Sequence, residues 1–141
     1  MATKKKTVVL VGGCFDVLHP GHVIFLQKAK KLGERLVVLL ESDEKIKRIK
    51  GVNRPVHNQT ERMQILKALK SVDVVIPLPF MENEQEYDDF VQKINPDIIA
   101  ATQNAPDNHH KIRVAKLIGA KFKYVTKMIG RYSTSSILNR V

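Results

Sequence analysis

The chain has 141 residues and a formal net charge of +10, from 24 Lys and Arg against 14 Asp and Glu. Hydrophobic residues at 43% and charged residues at 27% are the balance of a globular domain with one sizeable core. No apolar run approaches the roughly 18 residues of a transmembrane helix. The lone cysteine excludes an internal disulfide, and 6% aromatics with no Trp leave little for stacking single-stranded nucleic acid. The basic residues are spread along the chain, apart from Lys4–Lys6 and the segment 45–50. They suit a site for polyanionic nucleotides, and specific nucleic-acid binding is not expected. The basic start is followed by an apolar run that ends early, at Gly12, without the longer core of a signal peptide. A cytoplasmic protein without membrane insertion, forming a single domain over 1–141, is therefore expected.

Taken in order, Thr7-Val8-Val9-Leu10-Val11-Gly12 reads as a buried strand. The stretch 13–22 is a turn, and 23–32 repeats apolar residues at helical spacing, with Gly33 fitting the helix end. Leu36–Leu40 is a second buried strand. Ser42 looks like the N-cap of a short helix reaching about Ile49, and 50–56 is a loop. Asn58-Gln59-Thr60-Glu61 has the form of a capping box, opening a helix with Met63, Leu66 and Leu69 on one face. Val72–Leu78 is a third strand, 80–86 a polar connection, and 87–94 a helix stopped at Asn95-Pro96. A fourth strand over 97–101, a loop over 102–108, a helix over 109–118 and a fifth strand over 121–125 follow, and 133–141 reads as a final helix. Apolar strands alternating with helices predict an α/β fold: a three-layer, doubly wound, Rossmann-like domain with a five-stranded parallel sheet and helices on both faces. Ligands of such sheets bind beyond the carboxyl ends of the strands.

The turn 13–22 lies at such an end. Gly13 permits a tight turn with backbone close to a ligand, and Pro20 and Gly21 suit the first turn of a helix. The exposed N–H groups and positive dipole end of that helix make an anion site, to which His19 and His22 add donors. A histidine beside phosphates tends to gain charge. Cys14 sits near the same helix start, where a thiol pKa can fall. No Gly-x-Gly-x-x-Gly and no Gly-Lys-Ser/Thr P-loop occurs. His109-His110 has no ligand set at metal spacing and reads as a solvated pair, with no metal site.

The pattern Gly13-x-Phe15-Asp16-x-x-His19-x-Gly21-His22 resembles the signature of the cytidylyltransferase-like nucleotidyltransferases, which include glycerol-3-phosphate cytidylyltransferase, archaeal FAD synthase and the adenylyltransferase domain of ADP-heptose synthase. The resemblance implies transfer of AMP or CMP from ATP or CTP to a small phosphorylated acceptor such as a sugar phosphate, glycerol phosphate or FMN, with Mg²⁺ on the triphosphate and release of pyrophosphate. It implies that His19 and His22 handle the phosphates, that Gly13, Cys14, Phe15 and Gly21 line the nucleotide, and that the protein is a homodimer. Asp16 is open to two roles, touching substrate or bracing the turn. Lys50-Gly51-x-Asn53-Arg54-Pro55-Val56 and Glu61-Arg62-Met63 are similar to the loop and helix whose basic residues meet the β- and γ-phosphates and the second substrate. This implies catalytic roles for Lys50 and Arg62 and a substrate role for Arg54. Ser133-Thr134-Ser135 resembles the motif that grips the triphosphate, with Arg131 serving the phosphates from a shifted position. After the fourth strand the family's Gly-x-Asp type segment is replaced by 101–108, which has no glycine, so Asn104 or Asp107 has to substitute. The alternative to an enzyme is a module of the same fold that binds nucleotide without catalysis.

Overall fold

A computed structural model of the protein describes residues 5–127. Its elements run β1 (Val8–Gly13), α1 (Pro20–Lys30), β2 (Arg35–Leu40), α2 (Asp43–Lys50), α3 (Gln59–Lys67), β3 (Val74–Pro77), α4 (Glu84–Ile94), β4 (Ile98–Gln103), α5 (Asn108–Ile118) and β5 (Lys121–Lys127). The strands form one five-stranded sheet in the order β3-β2-β1-β4-β5, and every neighbouring pair is parallel. The fold is the expected doubly wound α/β sheet. The predicted final helix lies outside the described residues.

Period-two alternation along the central strands divides the core into two layers. Val9, Val11, Leu36, Val38 and Leu40 pack with Leu26 and Ala29 of α1 and Leu66 of α3. Leu10, Val37, Leu39 and Ile99 pack on the opposite face with Val91 of α4 and Val114 and Ala115 of α5. Strand order reverses between β1 and β4, the position at which such sheets open a crevice. The crevice is visible in the ladder. β1 pairs with β2 along its whole length, from Val8↔Arg35 to Gly13↔Leu40. With β4 it pairs only at Val9↔Ile98 and Leu10↔Ile99.

Several boundaries move from their expected places, four of them as follows. Helix α4 starts at Glu84 inside the predicted polar connection, because the Asn83 side chain accepts from Glu86 N at 3.1 Å and caps it. β4 runs on to Gln103 and β5 to Lys127, joined across a register shift between Ala101 and Thr102 and by a 2.8 Å hydroxyl bond between Thr102 and Thr126. Gly33 does not close α1 in a left-handed cap, since the C-cap is Lys31 in the right-handed region.

Gly33 is small because of crowding. A Cβ there would lie 2.8 Å from Val9 Cγ2 and 2.9 Å from the Thr7 carbonyl oxygen. Gly33→Ala is expected to destabilise the fold by about 1–3 kcal/mol, measured as a lower urea midpoint at unchanged slope.

Candidate active site

The turn after β1 is a strained piece of backbone held by buried charges. Phe15 and Val17 both take left-handed backbone, at φ 49° and 54°, which an aromatic and a β-branched residue rarely adopt. Gly13 is not in that region. Its role is room, since a Cβ would lie 3.0 Å from the Phe15 ring. Between the two strained residues, the Asp16 carboxylate is almost wholly buried and accepts from Arg54 Nε at 2.9 Å, Val56 N at 2.8 Å and His57 N at 3.0 Å. Burial by itself would raise its pKa. The His57 and Val56 N–H groups and the Arg54 guanidinium outweigh that and hold it below the ordinary carboxylate value. Of its two open roles, this geometry is the brace. Arg54 is drawn in with it, only 9% exposed, and pairs with the turn.

Arg62 is the larger departure. Its side chain has no exposed surface. Nη1 donates to the Cys14 carbonyl at 2.7 Å and the Glu41 carbonyl at 3.0 Å, Nε donates to the His57 carbonyl at 3.0 Å, and Nη2 meets Asp43 Oδ1 at 2.6 Å. The planar fork is therefore spent on the turn after β1, the end of β2, the residue before the α3 cap and the start of α2. It sits behind the site as a positioning residue and has no surface to offer a phosphate. Cys14 departs as well. Burial pushes its thiol pKa up, against the pull of Lys50, Arg62 and Arg54, so the helix start does not activate it.

His19 and His22 meet at the start of α1. His19 is the N-cap, and its Nδ1 accepts from Gly21 N at 3.1 Å. His22 Nδ1 accepts in turn from His19 N at 3.3 Å. A ring nitrogen that accepts carries no proton, so in each neutral ring the proton sits on Nε2, on the edge away from the helix backbone. The rings stack with centroids 3.7 Å apart, and Phe15 backs His22 at 5.4 Å. Burial depresses the pKa of His22 to about 3, with further depression from His19 and Lys50. Burial and then Lys50 lower that of His19. These shifts favour neutral rings that donate through Nε2–H; the gain of charge is an expectation for a site that holds phosphate. Lys50, exposed at the end of α2, supplies positive charge beside them.

Asn104 follows the end of β4 with φ 65°. Asn tolerates this conformation through its short polar side chain, so the backbone turn is made without the missing glycine. Asn108 Nδ2 closes the loop onto the Thr102 carbonyl at 2.9 Å. Asp107 lies at the α5 cap but makes no side-chain capping bond. Arg131, Ser133, Thr134 and Ser135 lie outside the described residues. Beside the turn, a cavity of about 270 Å³ opens between the sheet and helices α4 and α5, reaching Gly13, Cys14, Glu41, Lys45 and Tyr87. The sequence reading did not single out Glu41, Lys45 or Tyr87. Glu41 had a signal, as the first polar residue after the apolar run 36–40 and hence at a strand's carboxyl end. Tyr87 had none, because it reaches Glu41 Oε2, at 2.7 Å, only through the crossover. His110 corrects the solvated-pair reading: it packs against Tyr87 edge-on and lies within 3.4 Å of Glu84.

The helix start bearing two imidazole donors thus lies at the switch point of a parallel sheet, where α/β domains bind their ligands. Residues 10–140 match the cytidylyltransferase-like family, and the chain belongs to it. It is 39% identical over 140 residues to the bifunctional protein HldE of Campylobacter fetus subsp. fetus, covering 96% of this chain and 28% of that protein. It is 44% identical over 92 residues to HldE of Haemophilus influenzae strain PittGG, covering 65% of this chain and 18% of that protein. The chain thus spans less than a third of the length of these relatives. A solved structure described as the lipopolysaccharide core biosynthesis protein of Thermoplasma volcanium matches with TM-score 0.68 and 28% identity over 89% of this chain and 98% of that one. Among the described residues no helix is long and apolar enough to cross a membrane.

Asp16→Asn removes the carboxylate from a buried ion pair and is expected to destabilise by about 3 kcal/mol. The wild-type contribution is present above about pH 4 and is lost as pH falls through the depressed folded value. His22 gives a second pH window. Its folded pKa lies below the unfolded value of about 6.5, so its contribution is full above that pH and declines as pH falls toward 3. His22→Asn is expected to flatten stability against pH between those limits, measured by urea unfolding at a series of pH values.

Proposed function

We propose that the chain transfers a nucleotidyl group from ATP or CTP to a small phosphorylated acceptor. An acceptor phosphate oxygen attacks the α-phosphorus, the bond to the bridging oxygen breaks, and pyrophosphate leaves with the electron pair. The observation that carries this reading is the reciprocal capping of His19 and His22. It fixes both rings with Nδ1 on the helix backbone and presents two Nε2–H donors where negative charge grows in the transition state. Such donors are preorganised and need no reorientation during the reaction. The exposed N–H groups of the α1 start act on the same oxygens, and Lys50 adds charge for the triphosphate. Arg62 and the Asp16–Arg54 pair keep the strained turn in place.

Mg²⁺ is expected to arrive on the triphosphate. There it would supply charge neutralisation. The resemblance keeps a sugar phosphate, glycerol phosphate and FMN together in the acceptor panel. The same resemblance implies a homodimer. The rival reading, a binding module without catalysis, drew on the missing glycine after β4, and the left-handed backbone of Asn104 takes away much of its motive.

His19→Asn separates the two duties of that residue, since Asn caps a helix as well as any side chain but lacks the Nε2–H. The variant is expected to keep its thermal midpoint within a few degrees and to lose turnover by about 10²–10³-fold, the cost of removing one donor to a developing charge. Pyrophosphate release with Mg²⁺, ATP or CTP and an acceptor panel is the measurement. Wild-type turnover in the variant would rule the reading out.

A further inference from the structure

Two costs in the turn after β1 meet on one side chain. Phe15 holds left-handed backbone at φ 49°, a conformation that an aromatic residue keeps only where its surroundings impose it. Residue 13 goes without a side chain for the same ring. A Cβ there would lie 3.0 Å from Phe15 Cε2, 3.3 Å from Cζ and 3.4 Å from Cδ2. Backbone strain and an absent side chain thus both serve the placement of one ring. That ring is only 6% exposed and belongs to the core layer of Val9, Val11, Leu26 and Leu40. It also meets the imidazole of His22, with centroids 5.4 Å apart and planes at 55°. His22 is stacked in turn on His19, at 3.7 Å and 26°. The ring contacts therefore run from the core, through Phe15 and His22, to the N-cap of α1.

The cap by itself holds His22 loosely. One long hydrogen bond, 3.3 Å from His19 N to Nδ1, leaves the ring free to rock about that atom. Contact with His19 and with Phe15 limits the rocking. Phe15 also takes the place of water beside the imidazole, and hydrocarbon does not solvate a charge as water does. The titratable and charged groups that face His22 are His19 at the cap, Lys50 at the end of α2 and Asp16 in the turn. His19 and Lys50 oppose a proton on it and Asp16 favours one, but burial is the largest influence.

We propose that Phe15 is a positioning residue for His22: its ring, set between Gly13 and the core, keeps the imidazole dry and against His19, with Nε2–H on the edge away from the helix backbone. Phe15 acts through His22 and supplies no group to the substrate from its side chain. The hold on His22 stands on the ring geometry alone. Its consequence for turnover rests on the transfer reading above.

Phe15→Leu keeps an apolar side chain in the core and removes the ring, and Phe15→Met takes its place should the first variant fail to fold. Val38→Ala, in the same core layer on β2, is the control for lost stability alone. The protonation of His22 is read without ligand, from its ring ¹⁵N signals across a pH series, with His22→Asn to assign them. Turnover is read as pyrophosphate release. In the wild type and in Val38→Ala, His22 is expected to stay neutral, with its proton on Nε2, down to about pH 5. In the Phe15 variant its midpoint is expected to rise above about pH 5, toward the ordinary value of ~6.5. Turnover relative to wild type is expected to drop about tenfold at pH 8 from lost orientation, and further between about pH 7 and pH 5 as the ring gains a proton. A midpoint that is unchanged or lowered in the Phe15 variant overturns the inference. So does an equal rise in Val38→Ala, which would make the effect one of stability. A raised midpoint with no pyrophosphate from any acceptor, even in the wild type, upholds the hold of Phe15 on His22 and removes the transfer reading. A raised midpoint with wild-type turnover at every pH overturns the positioning role and leaves transfer standing.

Discussion

The buried guanidinium of Arg62 is the constraint on which the site depends. Three stretches of chain converge on one planar group: the turn after β1 at Cys14, residues 41–43 from the end of β2 to the start of α2, and the residue before the α3 cap. Three of its partners are backbone carbonyls, of Cys14 and Glu41 just past strand ends and of His57 before a helix, none of them in a ladder. That of Glu41 also accepts from Gln59 Nε2 at 3.3 Å, while for the Cys14 carbonyl the guanidinium is the partner that ties it to α3. Asp16 performs the inverse task, collecting two backbone N–H groups and a second arginine. A cation collecting carbonyls and an anion collecting amides hold the same loop from two sides. That support is what allows Phe15 and Val17 to stay in left-handed backbone against their intrinsic preference.

On this base the imidazole pair is fixed by the helix it opens. A Ser or Asp N-cap would satisfy the same backbone N–H but would end there. Histidine has a second nitrogen on the opposite edge, so the capping bond and the outward donor belong to one rigid ring. Burial and the nearby Lys50 charge favour the neutral form of both rings. Neutrality is what allows Nδ1 to accept at all, because a charged imidazole would have to give up the cap. Local structure and chemistry are coupled here through a single proton position.

Much of the fold was legible because it is written locally. The strand runs 36–40 and 97–101, the capping box at Asn58 and the helix stop at Asn95-Pro96 each depend on neighbours within a few residues. The start of α4 was legible too, in Asn83 three residues before Glu86, but the polar stretch around it masked the cap. The roles of Arg62 and Arg54 were not legible. A basic residue in a basic chain looks the same whether it faces a phosphate or a carbonyl. Only the fold, by bringing residue 62 to residue 14, decides which. The cavity was hidden for the same reason, since its walls come from the sheet and both far-side helices, and every one of them reads singly as ordinary core.

The short ladder between β1 and β4 also has a mechanical meaning. The sheet consists of one block, β3-β2-β1, and another, β4-β5, each stitched along most of its length. The seam between them is stitched at two residue pairs. Resistance to twisting is lowest where fewest hydrogen bonds must distort, so the seam is the natural axis about which one block can rock against the other. Its free end is the crevice above Gly13. Both core layers cross that seam, Ile98 and Ala100 joining Val9 and Val11 on one face and Ile99 joining Leu10 on the other, so such a rotation is resisted by side-chain packing more than by the ladder.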